Sequence, residues 1–180
     1  MKRKYTDLEL LNKVKSLVNF AYIPHNYWIL GVRSLADETN TFDDKFYVYK
    51  GEEFICMTTG TTNCGVKGTA VIKSNLWFYE AYKFGKHRGK MDALRQAKPI
   101  QYYRDLNKNG KTDESGTIYN DIIYVNIHGA TYRTGADQFP QKIGGWSEGC
   151  QVMNNNLEYE RIIKLCKPQS IVTYCLIKEF

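Results

Sequence analysis

The sequence lacks an apolar run long enough to cross a membrane, and its beginning does not read as an export signal. Residues 2–4 are basic, but the following residues 6–9 include Asp7 and Glu9 and lead into an amphipathic segment rather than an apolar one. We therefore expect a protein that is made in the cytoplasm without a signal peptide and does not insert into a membrane. Internal repeats, linkers and low-complexity tracts are missing as well, which favours a single folded domain.

Regular cysteine spacing is also missing. The cysteines form an odd set without a repeating interval, which argues against a disulfide framework and against the ligand spacing of a structural metal site. We expect no metal and no cofactor, and at least one free thiol. The cysteines are Cys56, Cys64, Cys150, Cys166 and Cys175.

A nucleic-acid-binding signature is absent too, although the formal charge of +6 favours an anionic partner. The basic residues are scattered, and no basic helix, aromatic RNA-binding motif or zinc-ligand spacing accompanies them. We expect no nucleic-acid partner, and an anionic cell-wall polymer remains among the candidates. The oligomeric state is not indicated by the sequence.

What is present is a globular chain of 180 residues with two helical patterns. Thr6 and Glu9 form a capping box before an apolar stripe, which predicts a helix over 6–20 within an N-terminal segment, 1–26, packed on the core. A second helix is predicted over 155–166, and a short one over 91–97.

Between these helices the pattern favours strands. A hairpin turn is expected at Lys50 and Gly51, a loop over 58–68, and a buried strand over 118–127 that delivers His128 at its end. The other predicted strands are 27–32, 46–49, 54–57, 69–72, 100–104 and 171–177. Together these elements predict a single α+β domain with a β-rich core over 27–180.

The glycine-rich segment 144–150 ends at Cys150. Small residues there let the backbone turn tightly and direct amide N–H groups around one point, as an oxyanion hole requires. A thiol acts as a nucleophile only when ionised, so it needs a base, and His128 is well placed to serve as one. Free cysteines are also common core residues, and a histidine at a strand end is often only hydrogen-bonded. From residue types alone, both interpretations stay open.

Read together, Ile127-His128-Gly129 and Trp146-Ser147-Glu148-Gly149-Cys150-Gln151-Val152 resemble the signature of the L,D-transpeptidase catalytic domain. The likeness is greatest to uncharacterised members associated with bacteriophages and prophages. Further short matches follow in the same order along residues 31–152: 31–34, 41–44, 58–60, 68–70, His87 with 93–97, and 103–105.

The resemblance implies a β-rich L,D-transpeptidase-like fold and a cysteine enzyme that cleaves or exchanges stem-peptide bonds of bacterial peptidoglycan. Cys150 would carry the acyl group, and His128 would remove the thiol proton and later protonate the leaving amine. The N–H groups of Gly149 and Cys150 would hold the oxyanion. A backbone carbonyl or Ser147 would orient the imidazole. Such an enzyme would reach the wall after lysis or as part of a phage particle.

The sequence departs from that family's pattern beside the nucleophile. Glu148 stands where a second histidine is common, and no arginine accompanies Gln151. Losing a cation weakens the recognition of a carboxylate, so the outcome of the reaction, hydrolysis or transpeptidation, stays open. A wall-binding or structural virion protein without chemistry is the alternative, and a cysteine peptidase acting on ordinary proteins is a further one.

We expect substrate contacts from Gly129, Glu148 and Gln151 and, beside them, from His87 and Trp146. His87 lies among lysines and arginines that favour its neutral form, which could bond a substrate carbonyl, although a surface histidine fits equally. Trp146 could form one side of the peptide groove or anchor the turn.

The segment 105–113 resembles a calcium loop but lacks the final glutamate, since Gly116 stands there, and we expect an Asn-Gly turn instead.

Overall fold

The computed structural model describes residues 3–135 and 140–180, which contain two helices and eleven strands. The helices are α1 (Asp7–Lys15) and α2 (Asn156–Cys166). The strands are β1 (Tyr27–Arg33), β2 (Asp44–Lys50), β3 (Glu53–Thr61), β4 (Ala70–Ile72), β5 (Leu76–His87), β6 (Met91–Gln96), β7 (Ile100–Arg104), β8 (Tyr119–Asp121), β9 (Ile127–Gly129), β10 (Gln151–Met153) and β11 (Val172–Lys178).

Eight of these strands close into a barrel in the order β1-β11-β5-β6-β9-β10-β3-β2. Most neighbours are antiparallel, but β11 runs parallel to β1 and β10 runs parallel to β9. Parallel neighbours need long connections. One of them, between β9 and β10, contains residues 130–150 and delivers Cys150 to the start of β10.

The barrel strands bury side chains on both faces because residues alternate along a strand. On β1, Ile29 belongs to the main core cluster, whereas Trp28 and Leu30 belong to a second cluster. Helix α1 covers that second cluster with Leu10 and Val14. The strands therefore read as nearly continuous apolar runs rather than as an alternating pattern.

The capping box predicted for α1 is confirmed. The Thr6 hydroxyl accepts a hydrogen bond from the Glu9 N–H at 3.2 Å, and the Glu9 carboxylate accepts one from the Thr6 N–H at 2.7 Å. The helix ends at Lys15, earlier than the predicted end at residue 20, and the chain turns at Ser16 and Leu17.

A three-stranded sheet, β4-β7-β8, lies beside the barrel. Its long β7–β8 connection carries Glu114, which pairs with the fully buried Arg33 of β1 at 2.5 Å. Arg33 also donates to the carbonyl oxygens of Thr62 and Ile72. This buried network fixes the small sheet against the barrel.

The prediction of an α+β fold with an L,D-transpeptidase-like core was wrong. Strands make up 39% of the chain and helices 11%, and the core is a closed, mixed eight-stranded barrel. The helix predicted over 91–97 is in fact β6, which pairs antiparallel with β5. The segment leading to His87 is part of a strand of 12 residues. Pairing with distant strands overrides the local helix preference of residues 91–97.

Other element predictions were partly correct. The hairpin at Lys50 and Gly51 is confirmed, since β2 and β3 pair across it, but β3 continues to Thr61, into the predicted loop. The strand expected over 118–127 is divided into β8 and the start of β9, and Tyr124 between them is 64% exposed. The sequence also predicts a polar loop through Gly135 and Pro140 after His128, and residues 136–139 of it lie outside the described part.

The segment 105–113 forms a turn held by its own side chains. Asn107 accepts a hydrogen bond from the N–H of Asn109, and Asn109 accepts one from the N–H of Lys111, both at 2.9 Å. Gly110 has a φ of +88°, which suits glycine at the turn. The oxygens thus satisfy the backbone of the turn itself.

Candidate active site

Cys150 stands at the junction between the glycine-rich loop and β10. Its side chain is half-buried, whereas the other four cysteines are buried. Its thiol lies 3.9 Å from the carbonyl oxygen of Tyr124, in the irregular segment that precedes β9. The loop can reach this position because Gly149 has a φ of +143°, and a Cβ there would lie 2.6 Å from the carbonyl oxygen of Ala70.

His128 lies in the middle of β9, directly opposite Val152 of β10. Its Nδ1 is 2.8 Å from the carbonyl oxygen of Gly129. A carbonyl can only accept, so Nδ1 carries the proton and Nε2 keeps a free lone pair. A backbone carbonyl thus orients the imidazole. The Ser147 hydroxyl is buried and has no hydrogen-bond partner among the described residues.

His87, at the end of β5, stacks on His128. The ring centroids are 4.1 Å apart and the planes differ by 25°. The Nδ1 of His87 is 3.1 Å from the side-chain nitrogen of Asn126, whose oxygen accepts the backbone N–H of Gln96 at 3.1 Å. The structure therefore brings His87, which the sequence places far from the nucleophile, into contact with the predicted base.

These three side chains form one cluster. A ring nitrogen of His87, a ring nitrogen of His128 and the sulfur of Cys150 all lie within 4.8 Å of one another. Histidine nitrogens and cysteine sulfur are also zinc ligands, so the three atoms are close enough together to be considered as a metal site. Nδ1 of His87 is engaged by the Asn126 amide, which leaves Nε2 as the nitrogen of His87 that is free to bind.

The electrostatics of the cluster keep both reacting groups neutral. Burial raises the pKa of the Cys150 thiol to about 11, although the Asn126 backbone and Arg88 act in the opposite direction. Burial, His87 and Arg88 lower the pKa of His128 to about 3, against the bond to Gly129. At neutral pH the pair is therefore a neutral thiol beside a neutral imidazole.

A groove passes through the cluster. A cavity of about 520 Å³ beside Cys150 is lined by three arginines, Arg88, Arg95 and Arg104. It shares His87, Arg88 and Trp146 with a second cavity of about 360 Å³ that reaches His128. The second cavity continues through Met91, Thr131 and Tyr132 into a third, of about 420 Å³, against α2. The three cavities together form a groove that runs from Cys150 past His128 to α2, long enough for an elongated ligand.

The charge of the groove near Cys150 is mostly positive. Among the described residues, no carboxylate pairs with Arg88, Arg95 or Arg104 within 4.0 Å, and Glu148 is the only acid that lines this cavity. Three unpaired guanidinium groups around one cavity repel one another unless an anion binds between them. The cavity is therefore suited to a carboxylate-bearing ligand.

The remaining predicted site residues fall into two groups. Trp146 and Glu148 line the groove, and the Trp146 ring lies 6.0 Å from that of His128. Gln151 is fully buried, where its oxygen accepts the Tyr174 hydroxyl at 2.8 Å, and it does not line the groove. Gly129 is also buried but lines the second cavity, and a Cβ at this position would lie 2.7 Å from the Tyr159 ring.

Besides the three arginines of the cavity, sequence reasoning missed Asn126 and Gln96. Asn126 could have been found from strand alternation, because residues 126 and 128 of an extended segment face the same side. No local signal identifies Gln96, whose role depends on pairing between distant segments. Its side-chain oxygen accepts the N–H groups of Ile123 and Val125, both at 3.1 Å, in place of a neighbouring strand.

Comparisons with protein-family models, curated proteins and solved structures find no match for this chain. Among the described residues, neither helix has the length and apolar character that crossing a membrane demands.

Proposed function

We propose that this protein is a cysteine acyl-transfer enzyme that cleaves or exchanges stem-peptide bonds of bacterial peptidoglycan. The observation that carries the proposal is the cluster of Cys150 with His128 and His87 within 4.8 Å, open to a groove. The resemblance of the His128 and Cys150 segments to the L,D-transpeptidase signature supports the choice of substrate.

The proposed reaction starts from the neutral pair. As the sulfur of Cys150 bonds to the substrate carbonyl carbon, the thiol proton moves to Nε2 of His128. The C–N bond then breaks, and the imidazolium returns that proton to the leaving amine. The product is a thioester on Cys150. Water resolves it to a carboxylic acid, and a second amine resolves it to a new peptide bond.

The oxyanion formed during the attack needs donors. The N–H groups of Gly149 and Cys150 donate no hydrogen bond to any described residue, so both are available. One such donor typically contributes roughly 3–4 kcal/mol to lowering the barrier. The positive φ of Gly149 supports this assignment, because that conformation sets the direction of the following amide.

The arginine-lined cavity supports a substrate that carries carboxylates, as stem peptides do. Arg88, Arg95 and Arg104 supply the positive charge that is missing beside Gln151. Recognition by arginine is strongest when the carboxylate is held by two parallel hydrogen bonds. We further propose that the protein is made in the bacterial cytoplasm and reaches the wall after lysis or within a phage particle.

Mass spectrometry of muropeptides tests this function. Purified wall is incubated with the wild type, with Cys150→Ala and with the matched control Cys56→Ala, which removes a buried thiol elsewhere. The wild type and Cys56→Ala should release a D-residue or open a cross-link, and Cys150→Ala should do neither. Incorporation of an added D-amino acid would identify a transpeptidase.

Two other outcomes would contradict the proposal. Unchanged muropeptides from several wall types, with wall binding that survives Cys150→Ala, would indicate a wall-binding or structural protein. Cleavage of an all-L peptide without preference for a D-residue would indicate a peptidase of ordinary proteins.

A further inference from the structure

The orientation of the Asn126 amide is fixed by its two neighbours. On one side, the backbone N–H of Gln96 can only donate, so the side-chain oxygen of Asn126 faces it at 3.1 Å. The side-chain nitrogen must then point to the other neighbour, Nδ1 of His87, at 3.1 Å. Both Asn126 and Gln96 are buried, so water does not compete freely for these bonds.

This orientation determines where His87 holds its proton. An amide nitrogen only donates, so Nδ1 of His87 must accept, and in a neutral ring the proton then lies on Nε2. His128 has the opposite form, since its Nδ1 donates to Gly129 and its Nε2 is bare. Two stacked imidazoles thus present different groups, one a donor and the other an acceptor.

We propose that Asn126 is a positioning residue that holds His87 as a neutral Nε2–H donor, which bonds the substrate's carbonyl oxygen while His128 accepts the thiol proton. This inference rests on the function proposed above. It gives the site a third oxyanion donor, beside the two backbone amides. A neutral donor is suited to this position because His128 becomes positively charged during the reaction.

A charged His87 would be unfavourable there. Its ring lies 4.1 Å from that of His128, so two imidazolium ions would repel each other in a buried site. Burial and the neighbouring Arg88 and Arg95 lower the pKa of His87, which supports the neutral form. Among the described residues, no carboxylate forms a hydrogen bond or an ion pair with the His87 ring.

Nitrogen NMR of the imidazoles tests the proton positions without any substrate. The chain has 3 histidines, so signals are assigned with His25→Gln and His87→Gln. In the wild type, His87 should show a bare Nδ1 and a protonated Nε2, and His128 the reverse. Asn126→Asp replaces the donor by an acceptor and should move the His87 proton to Nδ1 or protonate both nitrogens. The exposed Asn120→Asp adds the same charge and should leave all signals unchanged.

The role of His87 as a donor to the substrate's carbonyl oxygen is tested by the rate of muropeptide release. Asn126→Asp should lower the rate by roughly 10²-fold, the effect of losing one oxyanion donor, with Asn120→Asp as the control. His87→Gln keeps an N–H donor and should retain several-fold more activity than His87→Ala.

Each result separates this inference from the proposed function. A wild-type His87 that carries its proton on Nδ1, or equal activities of His87→Gln and His87→Ala, would overturn the role of Asn126 and His87. A wild type that leaves the wall unchanged, with the NMR result as expected, would instead overturn the proposed function and with it the use of the donor.

Discussion

At the scale of single residues, the proposed chemistry depends on two groups whose burial keeps them uncharged. Cys150 and His128 have pKa values near 11 and 3, so a stable thiolate–imidazolium pair is not present at neutral pH. In the proposed reaction, the thiol would therefore lose its proton during the attack itself. Residue types in the sequence indicated the nucleophile and base, but not their resting state, because the shifts come from burial.

The alkylation of Cys150 should follow this high pKa. We expect its reaction with iodoacetamide to speed up about tenfold per pH unit from pH 6 to 9.5, since the thiolate is the reactive form. Mass spectrometry of the peptide that contains Cys150 separates it from the buried cysteines. Labelling that is fast and independent of pH between 5 and 8 would indicate an ion pair instead.

Stability should also depend on His128. The unfolded imidazole protonates near its ordinary pKa of 6.5, but the folded one only near 3. As pH falls through this window the unfolded state gains a proton that the folded state does not, so the free energy of unfolding falls, by up to about 1.4 kcal/mol per pH unit. His128→Gln should lack this part of the slope in urea unfolding at pH 7, 5.5 and 4. Equal slopes in both proteins would contradict the low pKa.

At the scale of elements, the β5–β6 hairpin is the part of the site that the sequence did not predict. Residues 91–97 are mostly good helix formers, yet they pair as β6 with β5 and touch β9 through Leu94 and Ile127. Only long-range pairing decides between these states. The same hairpin carries His87 to His128 and Arg88 to the cavity, so the wrong prediction for residues 91–97 left the contact between the two histidines and the position of Arg88 unpredicted.

The segment between β8 and β9 also differs from the prediction of a single strand over 118–127. Its apolar residues predict a buried strand, but Tyr124 has a φ of +60°, which is rare for an aromatic residue. Gln96 satisfies the backbone there in place of a strand. The unusual conformation turns the Tyr124 carbonyl oxygen toward the Cys150 thiol.

Arg88 in the hairpin turn should contribute to substrate binding. Arg88→Asn removes the charge and keeps a residue that tolerates its φ of +50°. We expect KM for a carboxylate-bearing muropeptide to rise roughly 3- to 10-fold with kcat nearly unchanged, as for an interaction equal in ground and transition states. Arg161→Gln on α2, outside the groove, is the control. A fall in kcat without a change in KM would assign Arg88 to the chemical step.

At the scale of the whole molecule, local signals identified many elements but not the fold class. The capping box of α1, the hairpin at Gly51 and helix α2 are each encoded within a few residues. Barrel closure depends on β11 joining β1 and β5, which are far apart in sequence. The cluster of His87 with Cys150 depends on the same distant pairings, so the sequence alone predicted only its His128 and Cys150 members as partners.

The tie between the small sheet and the barrel should be a main source of stability. Glu114→Gln leaves the fully buried Arg33 without its carboxylate, which should cost about 3–5 kcal/mol in urea unfolding. The exposed pair of Lys15 and Glu52 gives a matched control, since Glu52→Gln should cost less than about 1 kcal/mol. Similar losses for both variants would mean that the buried pair is no stronger than a surface one.

Because β11 is the last strand to be synthesised and pairs with both β1 and β5, the barrel cannot close until the end of translation. The nucleophile leaves the exit tunnel before β11, and until β11 follows, the barrel is open between β1 and β5. Gln151, the neighbour of Cys150, still lacks the Tyr174 hydroxyl that holds its side chain. A nascent chain therefore carries its thiol without a finished site, so the proposed acylation would be confined to molecules whose synthesis has passed β11.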